Sequence, residues 1–333
     1  MKIGVIGAGS WGTTIADMLA LNGHDVTLWV YEADLCDRMR DRGENDLYLP
    51  GFALSKNIKF MNSLEDAVSG MEMVVSAAPA QVVRRVVSKA VPYISATTII
   101  VSLSKGIEEG TLMLMSDLLK ETLPKSLNKN LCFLSGPSFA KEVALKLPTA
   151  VVIASGNKEA AQKAQKVFST PYFRIYTHDD VTGVELGGAV KNVIAIATGI
   201  ADGLGFGYNS RAALITRGLA EISRLGAKMG ANPLTFSGLA GLGDLVLTCT
   251  GELSRNRTVG YKIGKGATLK EVTDGMNMVA EGIATSKAVH YLSKKIGIEM
   301  PITEHVYKIL YEGLPAKDAV INLMSRDLKR EVE

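Results

Sequence analysis

KIGVIGAGSWG, residues 2 to 12, runs from a short apolar stretch directly into Gly7-x-Gly9-x-x-Gly12. Gly7 suits a tight strand-to-helix turn, and Gly9 removes a Cβ where a pyrophosphate needs close approach to the backbone. Gly12 lets the following helix, expected over 11–21, lie against the strand, with its first amides and positive dipole end facing phosphate. A glycine pattern alone is weak. Placed after a β-rich run and at the start of a helix, it reads as a dinucleotide site; the plainer alternative is a glycine-rich turn that binds nothing.

Outward from this motif, short β-rich runs alternate with helical stretches as far as about Tyr176. Asp25–Trp29 and the runs 73–77, 98–101, 131–134 and 150–153 have the composition of strands covered on both faces. Helices are expected at 80–87, 112–122 and 159–167, and Ser63 with Asp66 forms an N-capping pattern. Residues 43–56, carrying Tyr48-Leu49-Pro50-Gly51, read as a surface loop. After Thr177 the strand signals fade, and 212–229 and 284–296 have the spacing of amphipathic helices. The expected fold is α/β: a Rossmann-type, doubly wound, mostly parallel sheet followed by an all-helical C-terminal domain. The boundary falls near 178, giving a dinucleotide-binding domain over 1–178 and a helical substrate-binding and catalytic domain over 179–333. No repeat or low-complexity linker separates them, so the halves should pack around a cleft.

The 333 residues are enough for about two domains, and 47% hydrophobic with 21% charged residues is ordinary for a soluble enzyme. A net charge of +3 is too small to indicate a nucleic-acid partner. Cys36, Cys132 and Cys249 are scattered, which fits reduced thiols in a cytoplasmic protein. His24, His178, His290 and His305 lack metal-ligand spacing, so no metal is expected. Glycines and Asp17 argue against reading the N-terminus as a secretory leader. The apolar stretch 186–201 is broken by Lys191 and Asn192 and is short for a span, so no membrane insertion is expected.

Three segments could carry chemistry. In GAVKNVIA, residues 188–195, one lysine lies in an apolar, helical setting. Desolvation would lower the pKa of Lys191 and suit it to proton exchange with a carbonyl or alcohol oxygen. It could equally be a snorkelling lysine whose amine reaches water. Gly238–Asp244, followed by Thr248 and Ser254-Arg255-Asn256-Arg257, offers close backbone approach, a carboxylate to orient a lysine, and a guanidinium fork for phosphate. Read alone, Ser-Arg-Asn-Arg is an exposed loop or a helix start. The third segment lies at strand ends, where doubly wound folds bind ligands: Ser104-Lys105-Gly106 and Ser135-Gly136-Pro137-Ser138. Lys105 could meet a substrate anion or the cofactor, or simply be solvated, and Ser138 could donate a hydrogen bond or simply begin a helix.

Taken together, GAGSWGT, LSKGI (103–107), LSGPSFAKEV (134–143), GGAVKNVIAIATGIADGLGFG (187–207), GLAGLGDLVLTCTGELSRNR (238–257) and VAEGIATSKAV (279–289) closely resemble NAD(P)-dependent glycerol-3-phosphate dehydrogenase. The resemblance spans nearly the whole chain. It implies interconversion of sn-glycerol 3-phosphate and dihydroxyacetone phosphate with NAD or NADP, supplying glycerol phosphate for phospholipid synthesis, in a cytoplasmic homodimer. By the same resemblance Lys191 is the proton donor and acceptor. Substrate contacts fall on Lys105, Gly136, Ser138, Lys191, Asp244, Ser254, Arg255 and Asn256. Cofactor contacts fall on Gly7, Gly9, Ser10, Trp11, Gly12, Tyr31, Lys105, Ala140, Arg255, Val279 and Glu281.

One position departs from the family pattern. Relatives commonly carry arginine or histidine where this chain has Tyr31, followed by Glu32. A cation there complements a 2′-phosphate, whereas a carboxylate favours a free ribose diol. Two rival functions remain: a dehydrogenase of the same two-domain design acting on a 3-hydroxy acid or sugar acid, which needs a carboxylate-binding pattern in place of Ser254-Arg255-Asn256, and a redox-sensing dinucleotide-binding protein without turnover. The second leaves Lys191, Asp244 and Arg255 with no joint purpose.

Overall fold

The computed structural model describes residues 1–276, 278–328 and 330–331. Its first half runs β1 (Lys2–Ile6), α1 (Ser10–Leu21), β2 (Asp25–Trp29), α2 (Ala33–Arg42), β3 (Ile58–Met61), α3 (Leu64–Val68) and β4 (Met73–Ser76). It continues through α4 (Val83–Ala90), β5 (Ile99–Ser102), α5 (Met115–Thr122), β6 (Leu131–Ser135), α6 (Ala140–Ala144), β7 (Thr149–Ala154), α7 (Lys158–Phe168) and β8 (Phe173–His178). The strands form one sheet in the order β3-β2-β1-β4-β5-β6-β7-β8. Only the β6–β7 pair among the described strands is antiparallel.

Chain order reverses direction between β1 and β4, and the crevice beyond the carboxyl ends of those strands is where such a sheet binds ligands. The motif glycines sit there. Gly7 has φ +108° in the turn. A Cβ on Gly12 would strike the Gly7 carbonyl and Ala77, while one on Gly9 would meet only open space. Gly12 therefore serves packing, and Gly9 leaves the approach clear. The two faces of the sheet are covered by separate apolar clusters, one including Ile3, Val5 and Leu28, the other Ile6, Val74 and Val83.

The second half is helical: α8 (Val181–Gly203), α9 (Tyr208–Lys228), α10 (Asp244–Thr250), α11 (Arg255–Gly264), α12 (Leu269–Asp274), α13 (Glu281–Ile296), α14 (Pro301–Tyr311) and α15 (Ala316–Met324). Its axis is α8, around which α9, α10, α11, α13 and α14 pack. Length and hydropathy alone would let this helix cross a membrane, yet its apolar stretch is wholly buried inside the fold. Asp180 caps it by accepting from the Gly183 N–H at 2.9 Å. Glycines allow its closest neighbour in. Gly199 and Gly203 on α8 face Gly260 and Gly264 on α11, and any Cβ at these positions would strike the opposing backbone.

Several expectations need correction. The run 112–122 becomes helical only at Met115, because Leu112 takes φ +62° and Ile107 bridges Leu114 first. Residues 80–87 begin as a tight 3₁₀ turn, with α-helix from Val83. Residues 43–56 are not simply a surface loop. Asn45 is fully buried, with its amide donating to Ala8 O and Thr13 Oγ1, and Leu49 and Leu54 are also buried. The N-cap at Ser63 is present, its hydroxyl accepting from the Asp66 N–H.

Candidate active site

A cleft of about 1120 Å³ opens at the switch point and extends to the helical half. Its walls include Gly7, Gly9, Ser10, Trp11, Gly12, Tyr31, Lys105, Ser138, Ala140, Lys191, Ser254, Arg255, Asn256, Val279 and Glu281. Residues separated by up to 274 positions in sequence thus meet in one concavity. Gly136 and Asp244 do not line it. They stand behind the wall and act on the residues that do.

At the centre, Asp244 begins α10 and is 1% exposed. Its Oδ1 accepts from Lys191 Nζ at 2.7 Å, and its Oδ2 from Lys105 Nζ at 2.6 Å. Lys191 Nζ also donates to Thr248 Oγ1 at 2.6 Å, one turn along α10 from Asp244. Lys105 Nζ also donates to the Gly136 carbonyl at 2.9 Å. Each ammonium has three donors, so each keeps one N–H without a protein partner among the described residues. The Lys191 amine therefore ends on a carboxylate and a hydroxyl rather than in water, and the snorkelling alternative does not describe it. Burial lowers its pKa to about 8, Asp244 opposing that shift and the Lys105 charge adding to it.

The phosphate-side candidates sit on α11 and its cap. Ser254 is the N-cap, its hydroxyl accepting from the Arg257 N–H. Asn256 is committed to the protein, donating to Asn192 Oδ1 at 2.9 Å and accepting from the Gly282 N–H at 2.9 Å; one amide hydrogen is left over. Arg257 is held by the 7%-exposed Asp202 carboxylate, which Arg211 also grips. Arg255 has no hydrogen bond or ion pair among the described residues, and its guanidinium stands at the cleft wall.

At the dinucleotide end no side chain caps α1, which leaves its first-turn amides for a ligand. The Ser10 hydroxyl donates to Tyr48 O at 2.6 Å. Trp11 Nε1 and Glu281 Oε2 are buried without partners among the described residues. Glu281 Oε1 accepts from the Ala80 N–H at 3.0 Å, joining the helical half to the sheet half. Burial pushes the Glu281 carboxyl up to about 7. Open space at Gly9, an uncapped helix end and two orphaned polar atoms together fit a pyrophosphate-bearing dinucleotide. Beyond β2, Glu32 Oε1 accepts from Tyr48 Oη at 2.8 Å, and Tyr31 is exposed beside it. Sequence reasoning leaves out Tyr48, Arg85 and Lys89, which also line this end. No local pattern marks Tyr48. The i, i+4 spacing of Asp244 and Thr248 does mark a shared helix face for the lysine.

A doubly wound sheet whose cleft runs from a glycine turn to a buried lysine held by a carboxylate and a hydroxyl on a second, helical part defines a dinucleotide-dependent dehydrogenase. The family pattern for the NAD-dependent glycerol-3-phosphate dehydrogenase N-terminus matches residues 2–161, and that for the C-terminus matches 180–321. The chain belongs to the NAD(P)+-dependent glycerol-3-phosphate dehydrogenase family, and that is its activity. A glycerol-3-phosphate dehydrogenase of Geobacter sp. (strain M21) is 57% identical over 330 residues, covering 99% of this chain and 98% of the relative. One from Syntrophotalea carbinolica is 55% identical, with 100% of both chains covered. The crystal structure of glycerol-3-phosphate dehydrogenase from Coxiella burnetii superposes with a TM-score of 0.93 at 42% identity, covering 98% of this chain and 99% of that one.

Proposed function

We propose that Lys191 carries the proton in this reaction, donating it to the carbonyl oxygen of dihydroxyacetone phosphate during reduction and taking it from the alcohol of sn-glycerol 3-phosphate during oxidation. The reading is carried by the buried lysine whose amine is fixed by Asp244 and Thr248 and keeps one N–H at the cleft wall. The reduced nicotinamide, when bound, supplies the hydride. Asp244 holds Lys191 and Lys105 together and offsets their charge, so the lone pair or proton stays aimed at one point. Lys105 turns its remaining N–H towards the substrate oxygens, with Ser138 beside it. Arg255, uncommitted among the described residues, takes the phosphate with its planar fork, and the spare Asn256 amide hydrogen and Ser254 stand alongside. Asp202 fixes α11 through Arg257, which sets where Arg255 starts.

Gly7, Gly9, Ser10, Trp11, Gly12, Tyr31, Ala140, Val279 and Glu281 are the cofactor contacts in this reading. The chain divides after β8 into a dinucleotide-binding part, 1–178, and a substrate-binding part, 179–333, of which Asn277, Lys329, Val332 and Glu333 lie outside the described residues. The enzyme works in the cytoplasm as a homodimer and supplies glycerol phosphate to phospholipid synthesis; three free, buried cysteines agree with a reducing compartment.

Lys191→Met is the decisive variant. Asp244 keeps Lys105 as its counter-ion, so the fold and dinucleotide affinity should persist. Turnover should fall about 10²–10⁴-fold, the usual share of general acid–base catalysis. Near-normal turnover at saturating substrate would remove Lys191 from this role.

A further inference from the structure

Behind Lys105, on the side away from the main cleft, lies a second cavity of about 10 Å³. Ser104 and Lys105 line both spaces, so the lysine forms the partition between them. The small cavity is closed by β5, β6 and α8. Register explains why it is polar. Ser102 on β5 pairs with Phe133 on β6, so Ser135, two residues further, points to the same face as Ser102. That face meets α8, where Gly188 leaves room for the Ser135 hydroxyl; any Cβ there would strike it.

Three buried oxygens on this lining have no partner among the described residues: Ser102 Oγ, Ser135 Oγ and Glu185 Oε2. Ser102 and Ser135 are 1% and 3% exposed. The other Glu185 oxygen is occupied, accepting from the Ser116 N–H at 2.9 Å. Each such atom left unsatisfied forfeits its hydration with nothing in return. A cavity of this size with two to four polar partners is what one ordered water requires.

We propose that this cavity binds a single water molecule held by Ser102 Oγ, Ser135 Oγ and Glu185 Oε2, and that Glu185 through this water positions Lys105 from behind. Burial pushes the Glu185 carboxyl up to about 8, so near neutral pH it carries a proton and can donate to the water. The serines then accept or donate to complete the set. The water ties the carboxyl ends of β5 and β6 to the helix bearing Lys191. Two lysines that share one carboxylate but come from different halves of the chain thereby keep a common reference.

The positioning role rests on the catalytic reading of Lys105 and Lys191 given above; the water site does not. A high-resolution crystal structure of the full chain with dinucleotide should show one solvent peak within hydrogen-bond distance of all three oxygens. A dry cavity, or a peak with the coordination of a metal ion, overturns the site. Glu185→Leu should lower kcat by about 10- to 100-fold, the scale of a small misplacement of reacting groups, with dinucleotide Kd unchanged. Glu185→Gln, which keeps the shape and a donor, should recover most of that loss. Should Glu185→Leu fail to fold, Ser135→Ala tests the same contact and should lower kcat in the same sense. Wild-type kcat in both Glu185→Leu and Ser135→Ala, or no recovery in Glu185→Gln, overturns the positioning role. Unimpaired turnover in Lys105→Met would instead overturn the catalytic reading and leave the water site standing.

Discussion

Lys191 shows how far one side chain's surroundings set its chemistry. A surface lysine keeps its proton well above neutral pH; here burial brings the value to about 8 despite the neighbouring carboxylate. The sign of the resulting pH dependence differs between directions. Reduction needs the ammonium form, so its turnover should hold below about pH 8 and fall above it. Oxidation needs the free amine, so its turnover should climb through the same interval. Paired pH–rate profiles check this, and two curves moving together would contradict it. A prediction about the cofactor also falls at this scale. Glu32 is steadied by Tyr48 Oη at 2.8 Å at the end of β2, where a carboxylate disfavours a 2′-phosphate. NADH should therefore be used at least as well as NADPH, measured as kcat/KM at one salt concentration. A strong NADPH preference would hand the 2′-phosphate to Arg85 and Lys89, which line the same end.

Elements were legible in proportion to how completely they are buried. The inner strands β4, β5, β6 and β7 are near-continuous apolar runs, and in β2 only Thr27 interrupts the buried stretch, which is why the sequence marks each within a residue or so. β3 and β8 were missed, and both lie at the edges of the sheet. Their sequences, IKFM and FRIYTH, alternate between core and solvent and so lack the continuous signal. The antiparallel β6–β7 pairing has no local signature, because direction is set by where the chain returns. In the site, the glycine motif and Lys191 were readable because their chemistry is local. Tyr48 and the second water-sized cavity depend on distant segments meeting. Helix packing can be tested at Gly260, where a Cβ would strike the Ile196 carbonyl of α8. Gly260→Ala should lower Tm, with overpacking costing about 1–3 kcal/mol, and should raise KM for dihydroxyacetone phosphate because α11 begins at Arg255. An unchanged Tm would show that the two helices are less tightly seated than this geometry requires.

Across the whole molecule, the site exists only because two dissimilar halves are held in register. Lys105–Asp244 at 2.6 Å, the Ala80–Glu281 hydrogen bond at 3.0 Å and Lys287–Glu109 at 3.2 Å all cross between them. Large apolar side chains are left outside on the helical half, among them Tyr208, Leu234, Ile321 and Met324, all more than 60% exposed. Covering such residues is the common gain of a two-fold assembly. Sedimentation should accordingly give twice the mass of one chain, and a single-chain mass at micromolar concentration would remove the homodimer.

The buried axis α8 has a further consequence, which concerns the order of synthesis. The helices that wrap it, α9, α10, α11, α13 and α14, lie later in the chain. A ribosome adding about 5–20 residues per second needs roughly 5–20 s to pass from the end of α8 to the end of α14. For that interval this long, apolar helix has emerged before its partners, with only the finished sheet to lean on. The nascent chain should therefore recruit chaperones in this window, and stalled chains ending between α8 and α11 should be the ones that aggregate.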